Sequence, residues 1–366
     1  MCYTYYMKLK TLKLKNFRNC EGVNIDFTSN KALIIGKNAQ GKTNILESIY
    51  LLSDLKSPRT SVISDMIRFN FDKFEVFASV DKNDTEIDLE ISYNTEKKRE
   101  LKVNGVKCNP KDFKSTVKTV LFSTKDLLLL RGTPQDRRDW LDRAISQIYP
   151  AYDERLSVYD KFRIQKNNLL KNDCIDEALL EIYNEQLVIT GANIIFLRKK
   201  FLKEIEKIAS EKHNAISGVE EFSLSYTCPY DEVDEISKYL KEELEKRRSE
   251  EFGRHQACVG PHRDDIEFKI NELDAVKFAS QGQQRTLVLA LKLAELDIIK
   301  NKTGITPILL LDDVLAELDE VRQNYLLKSI ENEVQTIITS VDTLLFEEEF
   351  LKSVQIMSVE NGSVST

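Results

Sequence analysis

At 366 residues and 42% hydrophobic content, the chain is long enough for one large or two ordinary domains with a full core. Charged residues make up 31% of it, and no apolar run approaches the roughly 18 residues a membrane-spanning helix needs. The net charge of −7 argues against a surface coated by nucleic acid, so any such contact requires a local basic face.

The start, MCYTYYMKLK, lacks the apolar centre and small-residue cleavage site of a signal peptide; the first six residues read as an extended start or a tail and receive no function. Residues 8 to 35 read as two strands joined by a turn, LKTLKLKNFRNC and VNIDF, leading into the apolar run KALII. The stretch GKNAQGKT follows at 36 to 43, and Ile45, Leu46, Ile49 and Leu52 are then spaced for one face of a helix. From 74 to 108 the pattern turns strand-like in FEVFASV, EIDLEISY and RELKVNGVKC, with Asn104-Gly105 carrying the chemistry of a tight hairpin turn. A further strand, TVLFS, ends at 123.

From about 134 to 215 the chain is charge-rich and helix-periodic, most clearly in RRDWLDRAISQIY and NIIFLRKKFLKEIEKIA. The helix DEVDEISKYLKEELEKRR comes after a short strand, and breaks fall at 149–150, 171–173 and 228–230. No heptad repeat is sustained, which predicts a compact helical insert and not a long coiled coil. After 255 strands and helices alternate again: DIEFKI, the helix RTLVLALKLAELDIIK, the strand PILLL, a helix from about 319, and the strand QTIIT. The six cysteines (Cys2, Cys20, Cys108, Cys174, Cys228, Cys258) show no CxxC pair and no histidine spacing, the usage of reduced structural thiols in a cytosolic protein.

The segment Gly36, Lys37, Asn38, Ala39, Gln40, Gly41, Lys42, Thr43 matches the phosphate-loop pattern GxxxxGK[ST], with a buried strand before it and a helix after it. Gly36 and Gly41 let the backbone wrap a phosphate with successive N–H groups pointing inward at a helix N-terminus. Lys42 then reaches the outer phosphates and the Thr43 hydroxyl ligates Mg2+. An ion there also needs a carboxylate, and PILLLDD supplies Asp312 and Asp313 at the end of an apolar strand. In ASQGQQRTLVLALKLAE, Ser280, Gly282 and Gln283 stand at the mouth of a helix and form a second anion site. One chain needs a single γ-phosphate site, so this second one is expected to serve the nucleotide of a second subunit.

GKNAQGKT, SQGQQR and LLLDDVLAELD resemble the phosphate loop, signature motif and magnesium strand of ABC-type ATPases of the SMC branch. NFRN at 16–19, GPHRDD at 260–265 and ASQGQQRT at 279–286 resemble the RecF family specifically, over a span from about Met7 to beyond 340. The resemblance implies an α/β fold: an ABC/SMC-type ATPase head, with a phosphate-loop mixed sheet plus an antiparallel β lobe, and an inserted helical domain. The head is placed at 7–133 and 251–366, and the insert at 134–250.

The family further implies a weak, DNA-dependent ATPase that uses ATP and Mg2+ and forms an ATP-dependent homodimer on DNA, with no membrane partner. Its work would be recombinational gap repair, with RecR, RecO and RecA in the pathway, supporting replication restart and the SOS response in the cytoplasm. Carried over by position, residues 36–43 bind the triphosphate and Asp312 holds Mg2+ directly or through water. Asp313 stands where most ABC ATPases carry a catalytic glutamate and would orient the attacking water. Ser280, Gly282 and Gln283 would contact the partner's γ-phosphate, Asp319 matches the loop linking the two sites, and Arg59 matches an arginine near DNA and nucleotide in SMC heads. The signature has Gln281 where a glycine is usual, and Thr339 or Ser340 replaces the switch histidine. With the shorter acid at 313, these departures imply slow hydrolysis, a timed switch more than a motor. His262 is expected to pack or to contact a partner. For DNA, the candidates are Lys8, Lys10, Lys13, Lys15 and Arg18, with Arg131, Arg137, Arg138 and Arg143, giving backbone contact with little sequence preference.

Overall fold

The computed structural model describes residues 6–96, 98–330 and 333–365. Of the six leading residues that received no function, 1–5 lie outside that description. The chain divides into two compact units, one reaching to Leu127 and resuming at Val288, the other Leu128–Leu287.

The first unit opens with β1 (Met7–Phe17), β2 (Cys20–Asp26), β3 (Lys31–Ile35) and α1 (Lys42–Asp54). Then come β4 (Lys73–Lys82), β5 (Thr85–Asn94), β6 (Arg99–Val103), β7 (Val106–Lys107), the short α2 (Pro110–Lys114) and β8 (Thr119–Ser123). Strands β2-β1-β4-β5-β6-β7 form an antiparallel sheet in that order. Its alternation is legible in β1, where Leu9, Leu12 and Leu14 are buried between exposed Lys10, Lys13 and Lys15. Asn104 and Gly105 both have positive φ, 51° and 73°, closing the β6–β7 hairpin as the Asn-Gly pair predicts.

The second unit holds α3 (Pro134–Ile148), α4 (Tyr152–Leu169), α5 (Glu177–Ser217), β9 (Phe222–Tyr226), α6 (Val233–Lys246), α7 (Arg248–Arg254), β10 (Ile266–Ile270), β11 (Leu273–Asp274) and α8 (Ala275–Phe278). Its largest element is longer than the broken sequence pattern suggests: α5 runs 41 residues without interruption, about 60 Å at the usual rise. From sequence the insert ends at 250, whereas the compact unit continues to Leu287. The physical reason is strand pairing, since β10 lies antiparallel against β9, with Phe268 opposite Leu224, and so holds the chain after 255 to the helical unit. The division falls inside α9 (Gln281–Thr303).

The chain then completes the first unit with β12 (Ile308–Asp312), α10 (Glu320–Ser329), β13 (Thr336–Ser340), α11 (Glu348–Ser353), β14 (Gln355–Glu360) and β15 (Ser363–Ser365). Strands β15-β14-β3-β13-β12-β8 form the second sheet, parallel except at β15. Its strands β3 and β12 carry apolar, buried centres, Ala32–Ile34 and Ile308–Leu311, as strands covered on both faces do. One face of it, including Ala32, Ile34, Leu310 and Ile337, joins Ile45, Ile49 and Leu52 of α1 and Leu12 and Val76 of the antiparallel sheet in a single core. This packing fixes the N-terminus of α1 beyond the carboxyl ends of β3, β12 and β13, where ligands of open α/β sheets bind.

Candidate phosphate-loop site

Three parallel strands end side by side at the site. Asp312 of β12 is in register with Thr339 of β13, and Thr339 with Ile34 of β3, just before the loop. The loop leaves β3 at Gly36, whose N–H donates to the Ser340 carbonyl at 3.2 Å. It enters α1 through Gly41, with φ 119°, a conformation that favours glycine. No side chain caps this helix start, so its first N–H groups are left for an anion.

Lys42 is buried, and its Nζ donates to the carbonyls of Gly36 at 2.7 Å and Lys37 at 3.4 Å, folding the ammonium back across the loop. Asp313 Oδ2 lies 3.7 Å from the same Nζ. The Thr43 hydroxyl donates to Asp312 Oδ1 at 3.0 Å across 269 residues of sequence. Thr339 Oγ1 also donates to Asp312 Oδ1 at 3.0 Å, with the Leu311 carbonyl a more distant acceptor at 3.3 Å, and it accepts the Asp313 N–H at 2.9 Å. Asp313 itself has φ 51°, in the left-handed region. Burial, with a smaller contribution from Asp313, holds the Asp312 carboxyl above the usual carboxylate range. Asp313 Oδ1 is buried without a hydrogen-bond partner.

These features fit a divalent cation with a triphosphate. A desolvated carboxylate stands beside a hydroxyl and a second acid, and that second acid keeps a buried oxygen without a hydrogen-bond partner. Among the described residues, no group of three or more His, Cys, Asp or Glu side chains could hold a metal by itself. Mg2+ does not need one, because one or two protein ligands suffice when phosphates supply the rest.

Sequence reasoning missed the support for this loop. Glu47 has a fully buried side chain on α1 and receives Arg18 through Nε at 2.9 Å and Nη2 at 2.6 Å, Arg59 Nη1 at 3.3 Å, and the Ser57 hydroxyl. Arg59 also donates to Asn44 Oδ1 at 2.6 Å, which places it at the first turn of α1. The Glu47 partner Arg18, 29 residues upstream, was not legible. Arg18, Asn19, Asn44, Arg59, Arg68 and Phe71 line an open hollow of about 700 Å³ beside the loop.

Ser280, Gly282 and Gln283 belong to the second unit. There the Ser280 N–H donates to Gln283 Oε1 at 2.8 Å and Ser280 Oγ accepts the Gln283 N–H at 3.3 Å, a reciprocal cap on α9. Gln283 Nε2 donates to Glu220 at 2.8 Å. Asp319 caps α10, accepting the Arg322 N–H at 3.0 Å.

Several basic candidates are committed elsewhere. Arg137 and Arg138 are buried; the first makes two bonds to Asp265 at 2.7 and 2.8 Å, and the second donates to the Asp264 carbonyl at 2.7 Å. They brace the second unit and offer no phosphate contact, which corrects the sequence expectation. Lys10 and Lys15 make only surface pairs, with Asp81 and Glu75 at 3.4 and 3.8 Å, and stay exposed. His262 is wedged between the Tyr159 hydroxyl, 2.6 Å from Nδ1, and the Ala257 carbonyl, 3.1 Å from Nε2. Packing is therefore its visible role.

The family described as the RecF/RecN/SMC N-terminal domain matches residues 8–365. Proteins called DNA replication and repair protein RecF from Streptococcus gordonii and Thermosynechococcus vestitus are 42% and 40% identical to this chain over 98% of it, covering 100% and 97% of their own lengths. A solved structure of the recombination mediator protein RecF-ATPrS in the RecFOR pathway superposes with a TM-score of 0.91 at 34% identity, covering 100% of this chain and 99% of that one. An Smc head bound to the C-winged helix domain of ScpA, at 16% identity and TM-score 0.55 over 98% of this chain and 96% of that one, shares the fold.

Proposed function

This chain belongs to the RecF family, and from that premise we propose that it is an ATP-dependent DNA-binding protein of recombinational gap repair. It binds ATP with Mg2+, dimerises around the nucleotide, holds DNA in that closed form and hydrolyses ATP slowly. With RecO and RecR it promotes RecA loading, and so serves replication restart and SOS induction. The observation that carries this reading is the convergence of the Gly36–Thr43 loop with Asp312 and Asp313, held at one end of the parallel sheet by the Thr43–Asp312 bond of 3.0 Å.

The residues divide the work. The loop N–H groups and Lys42 bind the β- and γ-phosphates, and the hollow lined by Arg18, Asn44 and Phe71 has room for base and ribose. Thr43 and Asp312 would hold Mg2+, which when bound neutralises phosphate charge and orients the γ-phosphoryl group. Asp313, its Oδ1 unpartnered, orients the attacking water. Ser280, Gly282 and Gln283 close the site of a second subunit from the N-terminus of α9. With an acid one methylene shorter than glutamate at 313, and Thr339 or Ser340 where a histidine is usual, turnover is slow and times release. ATP and DNA each favour the closed dimer, so each tightens the other's binding.

Retention on a gapped duplex, measured with and without Mg-ATP for the wild type and Lys42→Ala, tests this function. ATP-dependent retention should be lost in the variant. Equal ATP-dependent retention would exclude the phosphate loop as the nucleotide site.

A further inference from the structure

The last strands of the chain reach the phosphate loop from the edge of the sheet. Strand β14 runs parallel to β3, with Ser358 in register with Ile35, the last residue before the loop. It then reverses at Asn361-Gly362, both with positive φ, 47° and 78°, the geometry of a two-residue hairpin turn. The tip of that turn meets Gln40. The Gly362 N–H donates to the Gln40 carbonyl at 2.8 Å, and the Asn361 N–H donates to Gln40 Oε1 at 2.6 Å. Asn19, in the β1–β2 turn, adds a third contact, donating through Nδ2 to the same carbonyl at 3.2 Å, while its Oδ1 accepts Asn44 Nδ2 at 2.7 Å.

Gly36 is pressed by the same hairpin, and Gly41 by Asn19. A Cβ on Gly36 would stand 2.5 Å from the Val359 carbonyl oxygen, and one on Gly41 would stand 3.0 Å from Asn19 Oδ1 and 3.4 Å from Gly362 Cα. The turn is itself fitted closely, since a Cβ on Gly362 would lie 2.5 Å from the Asn19 carbonyl oxygen. An anion nest turns its N–H groups inward and therefore sends carbonyls outward, where they need donors. Here the outward carbonyl of Gln40 finds its donors in the C-terminal hairpin and in Asn19. Binding then need not supply the ordering of the loop, which raises affinity for whatever the nest receives.

We propose that the Asn361-Gly362 turn, Gln40 and Asn19 form a clasp that holds the phosphate loop in its binding conformation, making the C-terminal hairpin part of the nucleotide site. These are positioning residues, acting through the loop backbone. The inference rests on the triphosphate occupying residues 36–43.

The test compares wild type, Gln40→Ala, Gly362→Ala and Lys42→Ala by titration with a fluorescent ATP analogue in Mg2+, by hydrogen exchange of amides 38–42, and by melting without nucleotide. Gln40→Ala removes one acceptor, and should weaken binding about 3- to 10-fold with faster exchange confined to the loop and an unchanged melting temperature. Gly362→Ala, forced against Asn19, should weaken binding more. Should Gly362→Ala lower the melting temperature, Gln40→Ala decides, because it leaves the turn backbone intact. Wild-type affinity and loop exchange in Gln40→Ala, with binding lost in Lys42→Ala, would overturn the clasp alone. Unchanged binding in Lys42→Ala would overturn the phosphate-loop reading beneath it.

Discussion

Replacing Thr339 with valine keeps the shape of a side chain that is 1% exposed and removes only its hydroxyl. That hydroxyl donates to Asp312 Oδ1 at 3.0 Å and accepts the N–H of Asp313, a residue whose φ of 51° the surrounding structure must hold. Without it, the Asp313 N–H loses its acceptor, and Asp312 keeps the Thr43 hydroxyl as donor. An unmet buried donor costs about 1–3 kcal/mol, and valine leaves little cavity to add to that. Melting should therefore fall by several degrees, on the order of 2–4 °C per kcal/mol for a domain of this size. The larger effect should be on turnover. With Asp313 freed to reorient, the water it positions is lost, and kcat should drop on the order of tenfold or more, within the range of general-base contributions. Lys42 and the loop are untouched, so ATP affinity should stay within about threefold, a difference of ~0.7 kcal/mol. Thr339→Ser restores the hydroxyl and should recover kcat. Single-turnover hydrolysis and ATP titration on the three proteins provide the assay. A Thr339→Val protein that melts lower yet hydrolyses at the wild-type rate would show that the hydroxyl serves the fold and not the acids.

Ser280→Arg should leave ATP binding by the monomer intact and prevent ATP-induced dimerisation, because a long cation would fill the mouth of α9; light scattering with and without ATP checks it, and normal dimerisation would defeat the shared-site idea. Asp313→Asn should spare ATP binding and dimer formation but slow turnover, so that dissociation from a gapped duplex in ATP is slower than for wild type and equal without nucleotide. Equal off-rates in ATP alongside a clear loss of hydrolysis would separate turnover from release. His262, pushed down to about 3 chiefly by burial, stays neutral where an unfolded histidine would protonate. Its contribution to stability is thus full above about pH 6.5 and is lost as pH falls from there toward 3, amounting to about 2 kcal/mol by pH 5. Urea unfolding of wild type and His262→Gln at pH 7.5 and 5 should show a shallower acid loss in the variant, and identical losses would contradict the neutral buried imidazole.

Much of the site was legible because its sequence signals are local. The loop pattern, the apolar strand before it, the helix period after it and the acids ending PILLL each lie within a few residues, and β8 is found at Thr119–Ser123, where TVLFS ends. What escaped depends on pairing across the chain. Strand β10 looked like the return of the head but is held by β9. Arg137 and Arg138 looked like a basic face because their partners in GPHRDD lie about 130 residues on, 128 in the case of Asp265. The hairpin at 355–365 went unread although Asn361-Gly362 carries the same turn signal recognised at Asn104-Gly105, because its strands are short, six and three residues. Glu47 shows the limit most plainly: a buried acid on α1 has meaning only once Arg18 and Arg59 are brought to it.

On the proposed function, ATP at the 36–43 loop closes a dimer that holds DNA. Sedimentation velocity of the wild type and Lys42→Ala, each with and without Mg-ATP and a gapped duplex at several salt concentrations, tests it directly. The wild type should move from monomer to dimer with ATP and co-sediment with DNA as that dimer, more weakly at higher salt, while Lys42→Ala stays monomeric and off the duplex. A wild-type protein whose mass and DNA binding are the same with and without ATP would rule out closure by the nucleotide.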